Sequence, residues 1–178
     1  MPHNRRIRVL FDEKTIARRI GELAAAIAAA KTDRLLVISV LRGSFIFAAD
    51  LLRAMHRSGM APQVEFMQLS SYREGTVSTG RVEITKDIEG DVRGRDVLII
   101  DDILESGRTL AFAKDLLIAR GANRVLTVVL VEKPGHRAVQ FNADWVGFVS
   151  PDVFLVGFGM DVAHSYRELP FVGVVEVD

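Results

Sequence analysis

The chain has 178 residues, 49% of them hydrophobic, enough to bury one substantial core. Its 23 Lys and Arg balance 23 Asp and Glu, so net charge gives no sign of a nucleic-acid surface. It has no cysteine, which excludes disulfides, thiol catalysis and Cys-ligated zinc and is compatible with a cytoplasmic protein.

Residues 7–11 read as a short strand. Residues 12–30 read as a helix: Asp12 is a fitting N-cap, and Ile16, Ile20, Leu23, Ala24 and Ile27 fall on one face. Residues 35–41 form a buried strand, and 44–58 a second helix with Phe45, Ala48, Ala49, Leu52 and Met55 as apolar positions. Residues 64–69 are strand-like, 70–80 are polar with two glycines, and 81–86 alternate as a half-exposed strand does. A buried strand over 96–100 is followed by a helix over 109–120, with Gly121 as its C-cap, and by a buried strand over 125–131. Residues 144–148, 153–158 and 172–177 are short strands without long helices between them. Alternating β and α units imply an α/β fold, a mainly parallel twisted sheet flanked by helices. The strand-rich ends, near 1–11 and 144–178, are expected to add a small hood to a single domain spanning 1–178. No apolar run approaches a membrane span of about 20 residues.

The most informative stretch is 97–110. The apolar run Val97-Leu98-Ile99-Ile100 gives way to Asp101, Asp102 and Glu105, then to Ser106, Gly107 and Thr109 at a helix start. Burying unpaired carboxylates costs several kcal/mol, so the strand is expected to end at Asp101. Hydroxyls and free N–H groups at a helix start receive a phosphate. An acid-capped βα turn would need one carboxylate, not three. In open parallel sheets ligands sit at the carboxyl ends of the strands. Three such ends should therefore converge: 41–44, 101–109 and 132–135. The four histidines lack metal-ligand spacing and are assigned no role.

These motifs resemble the hypoxanthine(-guanine) phosphoribosyltransferases of purine salvage. The resemblance is carried by Val40-Leu41-Arg42-Gly43-Ser44-Phe45, Ser70-Ser71-Tyr72, residues 97–110 and the C-terminal run from Trp145 to Pro170. It implies transfer of ribose 5-phosphate from phosphoribosyl pyrophosphate (PRPP) to a 6-oxopurine base, with Mg²⁺. It implies that Asp101 and Asp102 bind ribose hydroxyls and metal, and that Glu105 accepts a proton near purine N7. Ser106, Gly107, Arg108 and Thr109 would cradle the 5′-phosphate. Arg42, Gly43 and Arg167 would hold pyrophosphate. Lys133 would donate to the exocyclic oxygen, Phe154 would stack on the base, and Leu155 would contact it through backbone. Asp161 would serve a metal near the base. Ser71 and Tyr72 would open a lid. A homodimer or homotetramer is implied, with no nucleic-acid or membrane partner.

Two positions depart from the family pattern, which has Glu-Asp at Asp101-Asp102 and Asp at Glu105. They leave two alternatives open, a nucleotide-sensing regulator on the same fold and an enzyme that prefers xanthine.

Overall fold

A computed structural model describes residues 6–74 and 77–176, with backbone alone for the strand positions between 71 and 81. Nine strands and three helices occur among the described residues, in the order β1 (Ile7–Phe11), α1 (Glu13–Ala29), β2 (Leu36–Leu41), α2 (Phe45–Arg57), β3 (Gln63–Glu74), β4 (Val77–Lys86), β5 (Asp96–Leu104), α3 (Arg108–Ala119), β6 (Arg124–Glu132), β7 (Trp145–Val149), β8 (Leu155–Val156) and β9 (Val172–Val175). Six strands form one sheet in the order β4-β3-β2-β5-β6-β7. All neighbours in it are parallel except β3 and β4. The other three form a small antiparallel sheet, β1-β9-β8.

Strand alternation divides the core in two. Val37, Leu98, Ile100, Val128 and Leu130 face α1 and α2, together with the small sheet's Leu155, Val172 and Val174. Leu36, Ile38, Val40, Val97, Ile99 and Val129 face the other way, against Leu110, Ala113 and Leu117 of α3. Period-2 alternation on the strands and a helical stripe on each helix account for both layers. Asp12 caps α1 by accepting from the Thr15 N–H at 2.8 Å. Gly121 follows the last residues of α3 with φ +89°, and its N–H reaches the Ile118 carbonyl at 2.9 Å. That left-handed conformation suits glycine at the end of a helix.

Three elements differ from expectation. β5 does not stop at Asp101 but runs on to Leu104, paired with β6 through Leu104 and Glu132. The carboxylates are accommodated because Asp101 Oδ1 accepts from the Asp102 N–H and Asp102 Oδ1 from the Ile103 N–H, both at 2.9 Å. Trp145–Val149, expected in the hood, is instead the edge of the six-stranded sheet, parallel to β6. Trp145 and Phe148 pack against one core layer and Val146 against the other, as an edge strand covered on both faces requires. The polar stretch 70–80 falls on the arms of the β3–β4 hairpin, with Gly75 and Thr76 outside the described residues.

Candidate active site

Parallel strands β2, β5 and β6 end on the same side of the sheet, and their ends supply most of the expected residues. β2 ends in Leu41, joined to Arg42 by a cis peptide. Ser44 anchors this loop: its Oγ donates to the Val40 carbonyl at 2.5 Å and lies 2.7 Å from Ser39 Oγ, with both serines fully buried. Gly43 lies against Asp102. A Cβ at Gly43 would stand 1.7 Å from Asp102 Oδ2 and 2.6 Å from its Cγ. No positive φ is involved, so glycine is needed there for space. On the far side of the loop, a Cβ at Gly159 would meet the Gly43 carbonyl oxygen at 2.1 Å. The Arg42–Gly43 loop is thus held between the acidic pair and the C-terminal segment.

Asp101 is 7% exposed. Burial, then the neighbouring Asp102 charge, push its carboxyl well above the usual carboxylate range. Burial raises Asp102 too, while bonds from Asp101 and backbone N–H groups, and the nearby Arg167 charge, pull it back. Asp101 is buried and Asp102 half-buried, and a counter-charge beside the pair would favour ionising both.

Beyond Asp102 a cavity of about 160 Å³ is lined by Asp101, Glu105, Ser106, Gly107 and Thr109, among others. α3 starts here. Gly107 is its N-cap, with φ +79° and no side chain to cap the first turn. A Cβ at Gly107 would crowd Phe141 Cβ at 3.1 Å. The Arg108 N–H is taken by Ser106 Oγ at 3.3 Å, and Thr109 and Leu110 bring the next N–H groups of the first turn to the cavity wall, a site suited to an anion.

Glu105 and Lys133 meet across the ends of β5 and β6, Nζ to Oε1 at 2.9 Å. Lys133 is 8% exposed. Its ammonium also lies 3.5 Å from Asp152 Oδ1, and the other Asp152 oxygen is 2.9 Å from His136 Nε2. The His136 bond, helped by Lys133, holds Asp152 below the usual carboxylate range. Glu105, His136 and Asp152 bring ligand atoms within 4.8 Å of one another. An ammonium already inside that group disfavours a metal cation there. Asp161 does not join Asp101 and Asp102 in such a group; its carboxylate accepts from the His164 N–H at 2.7 Å and pairs with Arg167 at 2.8 Å. Arg167 also donates to the Gly159 carbonyl at 2.6 Å.

Phe154 is 55% exposed, an uncovered aromatic face, while Leu155 beside it is buried in β8. Arg42 is exposed, without an ion pair among the described residues. Ser71 and Tyr72 lie on β3 beyond its last pairing with β2, at Gln68; their side chains are outside the described residues. Three residues of this region escaped the sequence reading. His136 and Asp152 carried no spacing signal. Arg137 follows the turn-forming pair Pro134-Gly135, the one cue that the chain doubles back there.

A family model described as a phosphoribosyl transferase domain matches residues 8–163. The chain is 42% identical to the hypoxanthine-guanine phosphoribosyltransferase of Aquifex aeolicus, over 97% of this chain and 96% of that protein. The chain belongs to the hypoxanthine phosphoribosyltransferase family. The crystal structure of a hypoxanthine phosphoribosyltransferase from Staphylococcus aureus superposes with a TM-score of 0.89 at 38% identity, covering 95% of this chain and 91% of that one. The bifunctional TilS/HprT protein of Listeria innocua is 45% identical over 98% of this chain, which spans only 26% of that longer protein. The Aquifex aeolicus and Staphylococcus aureus proteins are hypoxanthine(-guanine) phosphoribosyltransferases, so neither the regulator nor the xanthine-preferring alternative is favoured. No helix among the described residues is long and apolar enough to cross a membrane.

Proposed function

We propose that the chain transfers the ribose 5-phosphate unit of PRPP to hypoxanthine, and also to guanine, releasing pyrophosphate. The observation that carries this reading is the Lys133–Glu105 contact beside the start of α3. A 6-oxopurine presents an oxygen at C6 next to N7–H. Lys133 has only donors and serves the oxygen; the Glu105 carboxylate accepts from N7–H. The two groups lie close together in the protein as those atoms do in the base.

The other roles follow from position. Ser106, Gly107, Arg108 and Thr109 receive the 5′-phosphate at the helix start. Asp101 and Asp102 bind the ribose hydroxyls. Arg42, the Gly43 backbone and Arg167 receive pyrophosphate. Exposed Phe154 stacks on the base, with Leu155 contacting it through backbone. N9 forms its bond to C1′ as the bond to pyrophosphate breaks, and the proton on N7 passes to Glu105. The cationic C1′ centre needs protection from water. Ser71 and Tyr72, on the hairpin arm that runs past the sheet, are assigned to that cover.

The residues fit Mg²⁺, a hard cation that takes carboxylate oxygens and keeps waters. Asp101 and Asp102 are adjacent carboxyls whose ionisation burial opposes, and a divalent ion relieves that opposition; Asp161 is a further carboxylate near the base. Bound there, the ion would stabilise charge developing on the leaving pyrophosphate. A homo-oligomer, dimer or tetramer, is also proposed. Val64 and Phe66 of β3 and Phe45 of α2 are large apolar side chains left exposed, and association of identical chains follows closed symmetry. A cytoplasmic location fits the absence of cysteine.

The test is nucleotide formation from PRPP and Mg²⁺ with hypoxanthine, guanine, xanthine and adenine in turn. Hypoxanthine and guanine are expected to turn over. Adenine, which presents a donor where Lys133 needs an acceptor, is expected to fall behind by about 10⁴. Adenine used within tenfold of hypoxanthine would place Lys133 elsewhere.

A further inference from the structure

Arg137 donates to more acceptors than any other side chain near the site. Its Nε donates to the Phe141 carbonyl at 3.2 Å. Its Nη1 reaches the carbonyls of Leu104 at 3.2 Å, Glu105, and Lys133 at 3.4 Å. Its Nη2 pairs with the Glu132 carboxylate. Every nitrogen of the guanidinium is engaged with protein, so Arg137 is not a ligand for phosphate.

Its acceptors have a pattern. β5 and β6 stop pairing at Leu104 and Glu132. Beyond that point the two chains separate, one toward α3 and the other into the turn at Pro134. Only the Lys133 N–H to Leu104 carbonyl bond, at 2.9 Å, continues the ladder. Farther on, the Ala138 N–H reaches the Ser106 carbonyl at 2.9 Å. Glu105 and Lys133 stand on the stretch between, one on each chain. Arg137 grips the carbonyl of each. Gly135, with φ +99° and open space around its missing Cβ, allows the turn that brings Arg137 back beneath both.

We propose that Arg137 is a positioning residue for purine recognition, setting the spacing between the Glu105 carboxylate and the Lys133 ammonium through their own backbone carbonyls. This rests on the purine-salvage reading above. The spacing matters because the oxygen and the N7–H of a 6-oxopurine are fixed by a rigid ring. A misplacement of about 1 Å in a reacting group costs roughly a hundredfold in rate. Lysine cannot substitute, since one ammonium cannot span acceptors that a planar fork reaches together.

The experiment compares wild type with Arg137→Lys and Arg137→Ala. Steady-state kinetics are run against hypoxanthine at saturating PRPP and against PRPP at saturating hypoxanthine. Calorimetry measures binding of inosine 5′-monophosphate and of ribose 5-phosphate. Both variants should raise KM for hypoxanthine and lower kcat, together about tenfold to a hundredfold in kcat/KM. KM for PRPP should stay within twofold. Affinity for inosine 5′-monophosphate should fall while that for ribose 5-phosphate holds. Added guanidinium ion, well below denaturing concentration, should restore part of the Arg137→Ala activity. A merely structural residue would lower the melting temperature and the fraction of active protein and leave both KM values alone; that result overturns the proposal. So does an equal loss for hypoxanthine and PRPP. A wild-type protein that turns over no 6-oxopurine but still binds inosine 5′-monophosphate would sink the catalytic reading alone, and the two affinities then decide on Arg137. If wild type binds the nucleotide no better than ribose 5-phosphate, reading and proposal fall together.

Discussion

Replacing Gly43 by alanine isolates what the acidic pair contributes. The added methyl would lie 1.7 Å from Asp102 Oδ2, and ordinary contact begins at 3.4 Å. The carboxylate must therefore travel about 1.7 Å, or the loop must retreat by as much. The obstacle is the end of a side chain, so the fold should absorb the change with little loss of melting temperature. The site should not. At roughly a hundredfold per ångström of misplacement, kcat/KM for PRPP should fall by ~10² or more, equivalent to ~2.7 kcal/mol at 1.36 kcal/mol per tenfold. The assay is pyrophosphate release at fixed hypoxanthine with PRPP varied, alongside a thermal melt. Gly159→Ala is the contrasting variant. There the methyl meets a backbone oxygen at 2.1 Å, so both stability and activity should drop. If Gly43→Ala kept kcat/KM for PRPP within fivefold of wild type at an unchanged melting temperature, the contact between Gly43 and Asp102 would not matter to the chemistry.

Glu105→Gln should lower kcat by about 10², the scale of a general base, with KM for PRPP unchanged; an unaltered kcat would remove Glu105 from proton transfer. Lys133→Ala should raise KM for hypoxanthine far more than KM for PRPP, read from the same steady-state matrix, and an equal effect on both would contradict its place at the base edge. Asp101→Asn should stabilise the ligand-free protein at neutral pH while weakening PRPP binding. The sign follows from the raised carboxyl: between the ordinary carboxylate range and its raised value the folded protein binds more protons than the unfolded chain. Ligand-free stability therefore falls as pH climbs through that window and stays low above it. Thermal melts from pH 4 to 8 should show this decline in wild type and a flatter curve in Asp101→Asn, with a shift of about 2–4 °C per kcal/mol recovered. A variant that melts lower than wild type at pH 7 would count against the burial argument.

The layered architecture was legible because burial leaves a period. Ile16, Ile20, Leu23, Ala24 and Ile27 form the buried face of α1 as their spacing required. The run from Val97 to Ile100 is wholly buried, and the acidic turn does open a helix. What escaped depends on neighbours distant in sequence or on local backbone donors. The extension of β5 through Asp101 and Asp102 relies on each carboxylate accepting from the next N–H, which composition does not reveal. The place of Trp145–Val149 depends on which sheet had a free edge. The links among Asp152, His136 and Lys133, and the grip of Arg137 on Leu104 and Glu105, cross gaps in sequence that no periodicity bridges.

The small sheet carries a consequence for the order in which the chain acquires its proposed abilities. β1 has no partner until β9 exists, since Ile7 pairs with Val175 and Arg8 with Val174. The strands whose ends would hold the 5′-phosphate and ribose are complete once Glu132 has been made, while Arg167, the proposed pyrophosphate contact, comes later. On a nascent chain, synthesised from the N-terminus and folding by units, the phosphate cradle can therefore assemble while Phe154 and Leu155 are still absent. The purine platform closes last, when the final strand returns to the first.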